Sequence, residues 1–126
     1  MGLITNFLND QIERSNNSIN QYNADLEKYQ QAISDANKAK AIFQKTASNM
    51  DRYIFETDGV FQGDAATMFA QKLTNYNLAV RGMGSVMENR VKTFEKRIKE
   101  IEGQRRWCEM WNNICSNLLN SIKAVV

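Results

Sequence analysis

Apolar residues recur along the first half of the chain on a four-three alternation that starts at Leu8. Twelve of the fourteen positions are apolar or aromatic, and the residues between them are mostly polar or charged. The fourteen positions are Leu8, Ile12, Ser15, Ile19, Tyr22, Leu26, Tyr29, Ile33, Ala36, Lys40, Phe43, Ala47, Met50 and Ile54. A sustained heptad period is typical of a helix with one narrow apolar stripe. It predicts a helix over about residues 4–56, at least about 70 Å long at 1.5 Å per residue.

The second half repeats the heptad pattern and predicts a second helix over about residues 64–122. One row, spaced by seven, is apolar throughout: Ala66, Leu73, Val80, Met87, Phe94, Ile101, Cys108, Cys115 and Ile122. The companion row runs through Phe69, Tyr76 and Met83, fails at Arg90, passes to Val91 and Ile98, and resumes at Trp111 and Leu118. Such a shift near residues 84–91 is expected where a straight helix drifts against a 3.5-residue repeat. Gly82 and Gly84 lie there, either as a bend or close approach or as tolerated weak spots.

Glycines mark the break between the two patterns. Asp58-Gly59 is a turn signal, and Gly63 directly precedes Asp64, which is suited to the start of a helix. Either Asp64 caps the second helix, or Gly63 is the cap and Asp64 interacts favourably with the helix dipole. The predicted turn therefore covers residues 57–63.

Two long helices joined by a short turn predict an all-α fold, an antiparallel two-helix hairpin over residues 1–126. Two narrow stripes that bury each other make a thin core, which is marginal alone. Several large side chains beside the stripes also need cover: Phe7, Phe55, Phe69, Trp107, Met110, Ile114 and Leu119. We therefore expect a partner helix or hairpin that completes a helical bundle.

Composition narrows the possible chemistry. The chain has no proline, which agrees with unbroken helices, and no histidine, the commonest general base and a common zinc ligand. Two cysteines are too few for a structural zinc site or a disulfide scaffold. No carboxylate couple or nucleophile motif stands out, so we expect no enzyme activity, no catalytic residues, no cofactor and no metal.

The net charge of +2 is small and argues against a nucleic-acid binder. Residues 1–64 carry nine acids against six bases and residues 65–126 five acids against ten bases, so the two helices are complementary in charge. A basic stretch over residues 90–106 is either an ion-paired, solvated face or a site for an anionic lipid, a nucleic acid or an acidic partner. No apolar run is long enough for an integral membrane segment, and the first residues lack the pattern of a cleavable signal peptide.

The C-terminal part of the second helix holds both cysteines and both tryptophans. Cys108 and Cys115 are seven residues apart, too far for a disulfide with each other. We expect buried thiols, with an intermolecular disulfide as the alternative, and a reducing cytoplasm fits this usage. Trp107 and Trp111 share a helix face and either remain exposed as interface anchors or pack against residues near the N-terminus.

The turn carries the most specific motif. It reads Phe61-Gln62-Gly63-Asp64-Ala65-Ala66-Thr67-Met68-Phe69. A hairpin end needs an apolar cap and a glycine in any case, so a purely structural turn is one interpretation. The pattern also resembles the Trp-x-Gly turn of the WXG-motif helical hairpins of type VII secretion, with Phe in place of Trp. The long helices make the chain most similar to the small partner proteins of LXG-domain toxins in Gram-positive bacteria.

That resemblance implies a targeting chaperone that binds the helical N-terminal domain of an LXG toxin and presents it to the secretion ATPase machinery. The export signal of the superfamily is composite: one partner supplies the turn and the other a Tyr-x-x-x-Asp/Glu tail motif. No Tyr, Phe or Trp here has an acid four places on, so this chain supplies only the turn half. The alternative is a self-associating WXG-like secreted or structural coiled-coil adaptor.

The site residues implied at the turn are Phe61, Gly63, Ala66 and Phe69. The residues predicted to face a partner are Ile19, Tyr22, Leu26, Tyr29, Ile33, Trp107, Trp111 and Leu118. The expected partners are the toxin domain and a second small helical protein. The expected location is the cytoplasm, with co-export by type VII secretion as the alternative.

Overall fold

The computed structural model describes residues 2–57 and 63–125, which form two long helices. Helix α1 covers Gly2–Thr57 and helix α2 covers Asp64–Val125. The two helices pack against each other antiparallel, which confirms the predicted all-α hairpin. Their bounds extend the predicted ranges 4–56 and 64–122 by up to three residues. The bundle with a partner and the single domain over 1–126 stay predictions.

The hairpin consists of two compact units, each built from one stretch of both helices. Unit 1 is Met1–Gln31 with Glu95–Val126, and unit 2 is Ala32–Phe94. Each unit is described below by itself.

The α1 stripe lies where its periodicity placed it. All fourteen positions from Leu8 to Ile54 are buried or half-buried, including Ser15 and Lys40. We label them as heptad positions a and d, with Ile12 at a and Leu8 at d. The first α2 row, from Ala66 to Ile122, is likewise buried or half-buried throughout and forms the d positions of α2. Both rows are confirmed.

The companion row on α2 differs from the prediction. Its buried or half-buried members follow the d row by four residues: Asn77, Gly84, Val91, Ile98, Arg105, Asn112 and Leu119. Val91 and Ile98 were predicted correctly. The assignment of Phe69, Tyr76, Met83, Trp111 and Leu118 to this buried row is wrong, since these residues occupy g positions and are exposed. The separate predictions of Phe69 as a recognition residue and of Trp111 and Leu118 as partner contacts are not affected. The heptad is therefore regular through residues 84–91, and the apparent shift arose because several a positions are polar or lack a side chain.

Hydrogen bonds to α1 explain why polar residues occupy a positions. In unit 1, Asn112 Nδ2 donates to Asn16 Oδ1 at 2.8 Å, and Arg105 Nη1 donates to Asn23 Oδ1 at 2.9 Å. Both acceptors belong to the e positions of α1, which are all amides or acids: Asn9, Asn16, Asn23, Gln30, Asn37, Gln44 and Asp51. The e flank of α1 is therefore a polar contact surface for α2.

Unit 2 uses the same type of contact. The Asn77 amide donates to Asp51, and Lys40 pairs with Glu88 at 4.0 Å. In each of these pairs, and in each of the two pairs of unit 1, the two residue numbers add to 128. The antiparallel register found in unit 2 is therefore the register found in unit 1.

Unit 1 has a core of large apolar side chains. Leu8, Cys115 and Leu119 form a buried cluster against which Ile12 and Ile122 pack. Leu26 and Ile101 are buried further along the same unit. The predicted burial of the cysteines is confirmed for Cys115 and holds in part for Cys108, which is half-buried; both are free thiols.

Unit 2 has a core of small residues. Its fully buried positions are Ala36, Ala47, Asn77 and Gly84. A Cβ added at Gly84 would lie 3.9 Å from Phe43 Cβ, an ordinary van der Waals contact, so this buried glycine faces α1 but the contact does not require it to be glycine. The large apolar side chains that the structure describes in unit 2 are half-buried or exposed.

Candidate partner-binding surfaces

Gly63 sets the entry to α2. Its φ of +104° is a backbone conformation that side-chain-bearing residues rarely adopt. Its carbonyl oxygen accepts from Thr67 N at 3.1 Å and from Thr67 Oγ1 at 3.2 Å. Gly63 is therefore the N-cap residue, and Asp64 lies in the first turn, where its charge opposes the positive end of the helix dipole. Of the two capping alternatives, the structure shows the second.

The remaining turn-motif residues have different environments. Phe61 lies outside the described residues. Ala66 is half-buried, whereas Phe69 is 48% exposed. The Phe69 ring meets Tyr53 edge to face, with centroids 6.5 Å apart, the arrangement that aromatic quadrupoles favour. Phe69 is therefore held in position by α1 while half of its surface remains available.

Phe69 begins an uncovered apolar row in unit 2. Tyr76 and Met83 follow at g positions, and Val86 lies at a neighbouring c position. Each of these residues exposes about half of its surface or more. We call Phe69, Tyr76, Met83 and Val86 the unit 2 row. The sequence placed the first three inside the hairpin, and their strict spacing by seven was the signal for a second stripe.

Unit 1 has a corresponding uncovered patch near the C-terminal end of α2. Trp107 and Ile114 lie at c positions, and Trp111 and Leu118 lie at g positions. Trp107 is 71% and Trp111 39% exposed. Trp111 Nε1 donates to Gln11 Oε1 at 3.1 Å, which fixes its ring beside α1. Of the two alternatives for the tryptophans, the structure shows exposure for Trp107, whereas Trp111 combines partial exposure with a contact to α1. We call Trp107, Trp111, Ile114 and Leu118 the tryptophan patch.

The other residues predicted to face a partner lie between the two helices. Ile19, Tyr22, Leu26, Tyr29 and Ile33 all occupy a or d positions of α1. Leu26 is fully buried inside unit 1, and the other four are half-buried. Their first role is therefore contact with α2 of the same chain. A contact with a partner stays a prediction for them.

The basic stretch 90–106 is partly ion-paired. Arg97 lies 3.1 Å from Glu100, and Arg105 lies 3.8 Å from Glu109. The hydrogen bonds to Glu100 and Tyr29 raise the pKa of Arg97, which stays charged. Lys92, Lys96, Lys99 and Arg106 are exposed. The stretch is thus exposed and carries local ion pairs, and both interpretations of the sequence stay predictions.

Charge complementarity between the helices is limited to individual contacts. Arg81 pairs with Asp51 in the predicted sense, with the acid on α1. Lys40 and Glu88 pair in the opposite sense, with the base on α1.

Within the described residues no group of three His, Cys, Asp or Glu side chains is placed to hold a metal ion. Neither helix, over those residues, is long and apolar enough to cross a membrane.

Comparison with protein families, with curated proteins and with solved structures gives no match.

Proposed function

We propose that this chain is a non-enzymatic targeting partner of a type VII secreted LXG toxin. It binds the helical N-terminal domain of the toxin and supplies the turn half of the export signal. The proposal rests on the resemblance of the turn motif, and one observation carries it furthest. Gly63 adopts a positive φ at the entry to α2, and the unit 2 row begins within two turns of it.

The unit 2 row is the surface that a partner helix would cover. Its members recur at c and g positions, so they form a second stripe about a quarter turn away from the a and d positions. A helix with two apolar stripes needs two neighbours, and α1 supplies only one. Because the core of unit 2 is built from small residues, burial of this row by a toxin helix would add stability that the chain lacks alone.

Co-expression with the LXG domain encoded beside the gene tests the proposal. We expect the two proteins to co-purify as a soluble complex, since each covers an apolar face of the other. Failure to co-purify with any adjacent LXG domain would contradict the proposal.

Substitutions in the unit 2 row test the surface. Tyr76→Ala with Met83→Ala should weaken toxin binding at least about tenfold, because exposed aromatic and Met side chains are typical interface anchors. Leu78→Ala is the matched control, since Leu78 is equally exposed at a b position on another face of α2. Equal loss of binding in both variants would argue against the row as the specific contact.

The turn is tested by export. Phe61→Ala should reduce toxin secretion more than toxin binding, because Phe61 belongs to the recognition element and not to the unit 2 row. Phe55→Ala, which removes an exposed aromatic ring from α1, is the control. If Phe61→Ala abolishes binding to the same extent as export, Phe61 is a packing residue.

A further inference from the structure

The tryptophan patch belongs to a longer row that is not explained by the contact with α1. Over residues 104–121, the c and g positions of α2 read Gln104, Trp107, Trp111, Ile114, Leu118 and Ser121, and the row is preceded by Arg97 and Glu100 and followed by Val125. All six are exposed, and the four central ones are large and apolar. Exposed apolar residues at this spacing are typical of a helix that packs against a further helix.

Charge is sparse along α2 at the patch. The charged residues beside it are Arg106 on α2 and the exposed pair Asp10–Arg14 on α1. Between Trp107 and Val125 the only charged residues are Glu109 and Lys123. Both lie at e positions, and Arg105 of the polar flank pairs with Glu109. The b, c, f and g positions of these five turns are all uncharged. The patch itself therefore carries no cation for a phosphate backbone or a lipid headgroup, and depletion of charge is typical of the centre of a protein interface.

The row is complementary to itself when read backwards. If two copies of α2 cross antiparallel with a two-fold axis between residues 112 and 113, Trp107 lies opposite Leu118 of the other copy. Trp111 then lies opposite Ile114, and Gln104 lies opposite Ser121. Each large ring meets a smaller branched side chain, each polar amide meets a hydroxyl, and no like charges meet.

We propose that a second copy of this chain occupies the tryptophan patch, so that the protein forms a symmetric dimer through antiparallel α2 helices. A symmetric interface needs one self-complementary surface, and the order of residues in this row provides one.

The exposed area is sufficient for the centre of such an interface. The two tryptophans together expose about one whole ring, roughly 200 Å². Met110 lies at the adjoining f position, and Ile4 and Phe7 lie at g and c positions of α1, on the flank where Gln11 meets Trp111. Each of these three is about half exposed. Together they extend the patch toward the roughly 800 Å² per partner that a stable complex buries.

This assignment places Trp107, Trp111 and Leu118 between two copies of the chain. It leaves the unit 2 row and the turn for a foreign partner. The dimer does not depend on the proposed toxin, because the isolated chain suffices to test it.

Sedimentation of the isolated full chain gives the first test. We expect the mass to rise from one to two copies as the concentration increases from micromolar upward. The tryptophan emission should shift to the blue over the same range, since the chain has only two tryptophans and both lie in the patch. A mass that stays at one copy at all concentrations would overturn the proposal.

Complementary charge substitutions give the second test and define the register. Ile114→Glu alone and Trp111→Lys alone should each weaken self-association at least about tenfold, because each dimer would bury two unpaired charges. A mixture of the two variants should form a heterodimer, in which Glu at 114 faces Lys at 111 and the native Trp111 faces the native Ile114. A dimer that survives Ile114→Glu, or variants that fail to pair when mixed, would overturn this arrangement.

Controls separate the patch from general effects. Both substituted side chains are partly exposed in the single chain, so the helix content measured by circular dichroism should stay unchanged. Val86→Glu places a charge at a c position in unit 2 and should leave the dimer intact. Loss of the dimer in Val86→Glu would move the interface to the unit 2 row. Toxin binding by Ile114→Glu should be retained, so that the two proposals fail or hold separately.

Discussion

Leu118 and Leu119 are adjacent and chemically identical, yet the structure treats them differently. Leu119 is 7% exposed and belongs to the core cluster of unit 1, whereas Leu118 is 50% exposed at a g position. A step of one residue rotates the side chain by about 100° around a helix, which is enough to move it from the contact with α1 to the surface. The sequence pattern assigned Leu118 to the companion row of α2 and to a partner contact, and it placed Leu119 among the large residues beside the stripes.

Alanine substitution at the two leucines tests this assignment. Leu119→Ala should lower the free energy of unfolding by about 2–3 kcal/mol, because it removes buried methyl groups and leaves a cavity. Leu118→Ala should change it by no more than about 0.5 kcal/mol in the monomer. Urea unfolding at low protein concentration measures both. A larger loss for Leu118→Ala would support the companion row read from the sequence.

At the scale of the helices, the contact between α1 and α2 has two different sides. On one side, the e positions of α1 meet polar a positions of α2, as in Asn16 with Asn112 and Asp51 with Asn77. On the other side, g positions of both helices carry exposed aromatic and aliphatic residues, as in Tyr53 of α1 beside Phe69 of α2. Because the polar flank uses its hydrogen-bonding groups within the hairpin, the g flank is the side on which a further helix can bury apolar surface.

The contact of Asp51 with Asn77 allows a test of the polar flank. Asp51→Ala should destabilise the chain by about 1–3 kcal/mol, mainly because the buried Asn77 amide loses its acceptor, with a small further loss from the exposed pair with Arg81. Adding Asn77→Leu should recover most of this loss, since apolar replacement of both partners removes the unpaired group. A double-mutant cycle by urea unfolding measures the coupling.

The control for that cycle is the exposed pair of Arg14 and Asp10 within α1. Asp10→Ala should cost no more than about 0.5 kcal/mol, as is usual for a surface pair four residues apart on a helix. An Asp51→Ala variant that is as stable as Asp10→Ala would show that the contact to Asn77 contributes nothing.

At the scale of the whole chain, the opposite charges of its two halves have little effect on the contacts that form. One ion pair between the helices has the predicted sense and another has the reverse sense. Both involve groups with substantial exposure to solvent, where salt screens the attraction. The hairpin is therefore held mainly by its a and d positions.

Salt dependence tests this conclusion. Raising sodium chloride from about 50 mM to about 500 mM shortens the screening length severalfold and should shift the thermal midpoint by no more than about 4 °C. Circular dichroism at a fixed low protein concentration measures the midpoint. A drop of ten degrees or more would show that the acidic and basic halves stabilise each other through long-range attraction.

The heptad period by itself determined the all-α class, the two helices, and three of the four rows through which they meet. Those rows are regular and mostly apolar, so their burial follows from spacing alone. The sequence also placed Gly63 at the break between the two helices. The positive φ of Gly63 explains why a glycine stands at this position.

Only the tertiary structure decided which flank of α2 completes its contact with α1. By hydrophobicity, the row through Phe69, Tyr76 and Met83 is the better candidate, and the row through Asn77 and Gly84 is the poorer one. In the poorer row, Gly84 lies against Phe43 and Asn77 finds an acceptor in Asp51. Those partners lie 26 or more residues away along the chain, so no local pattern could reveal them. The apolar row through Phe69, Tyr76 and Met83 remained exposed on the outside of unit 2.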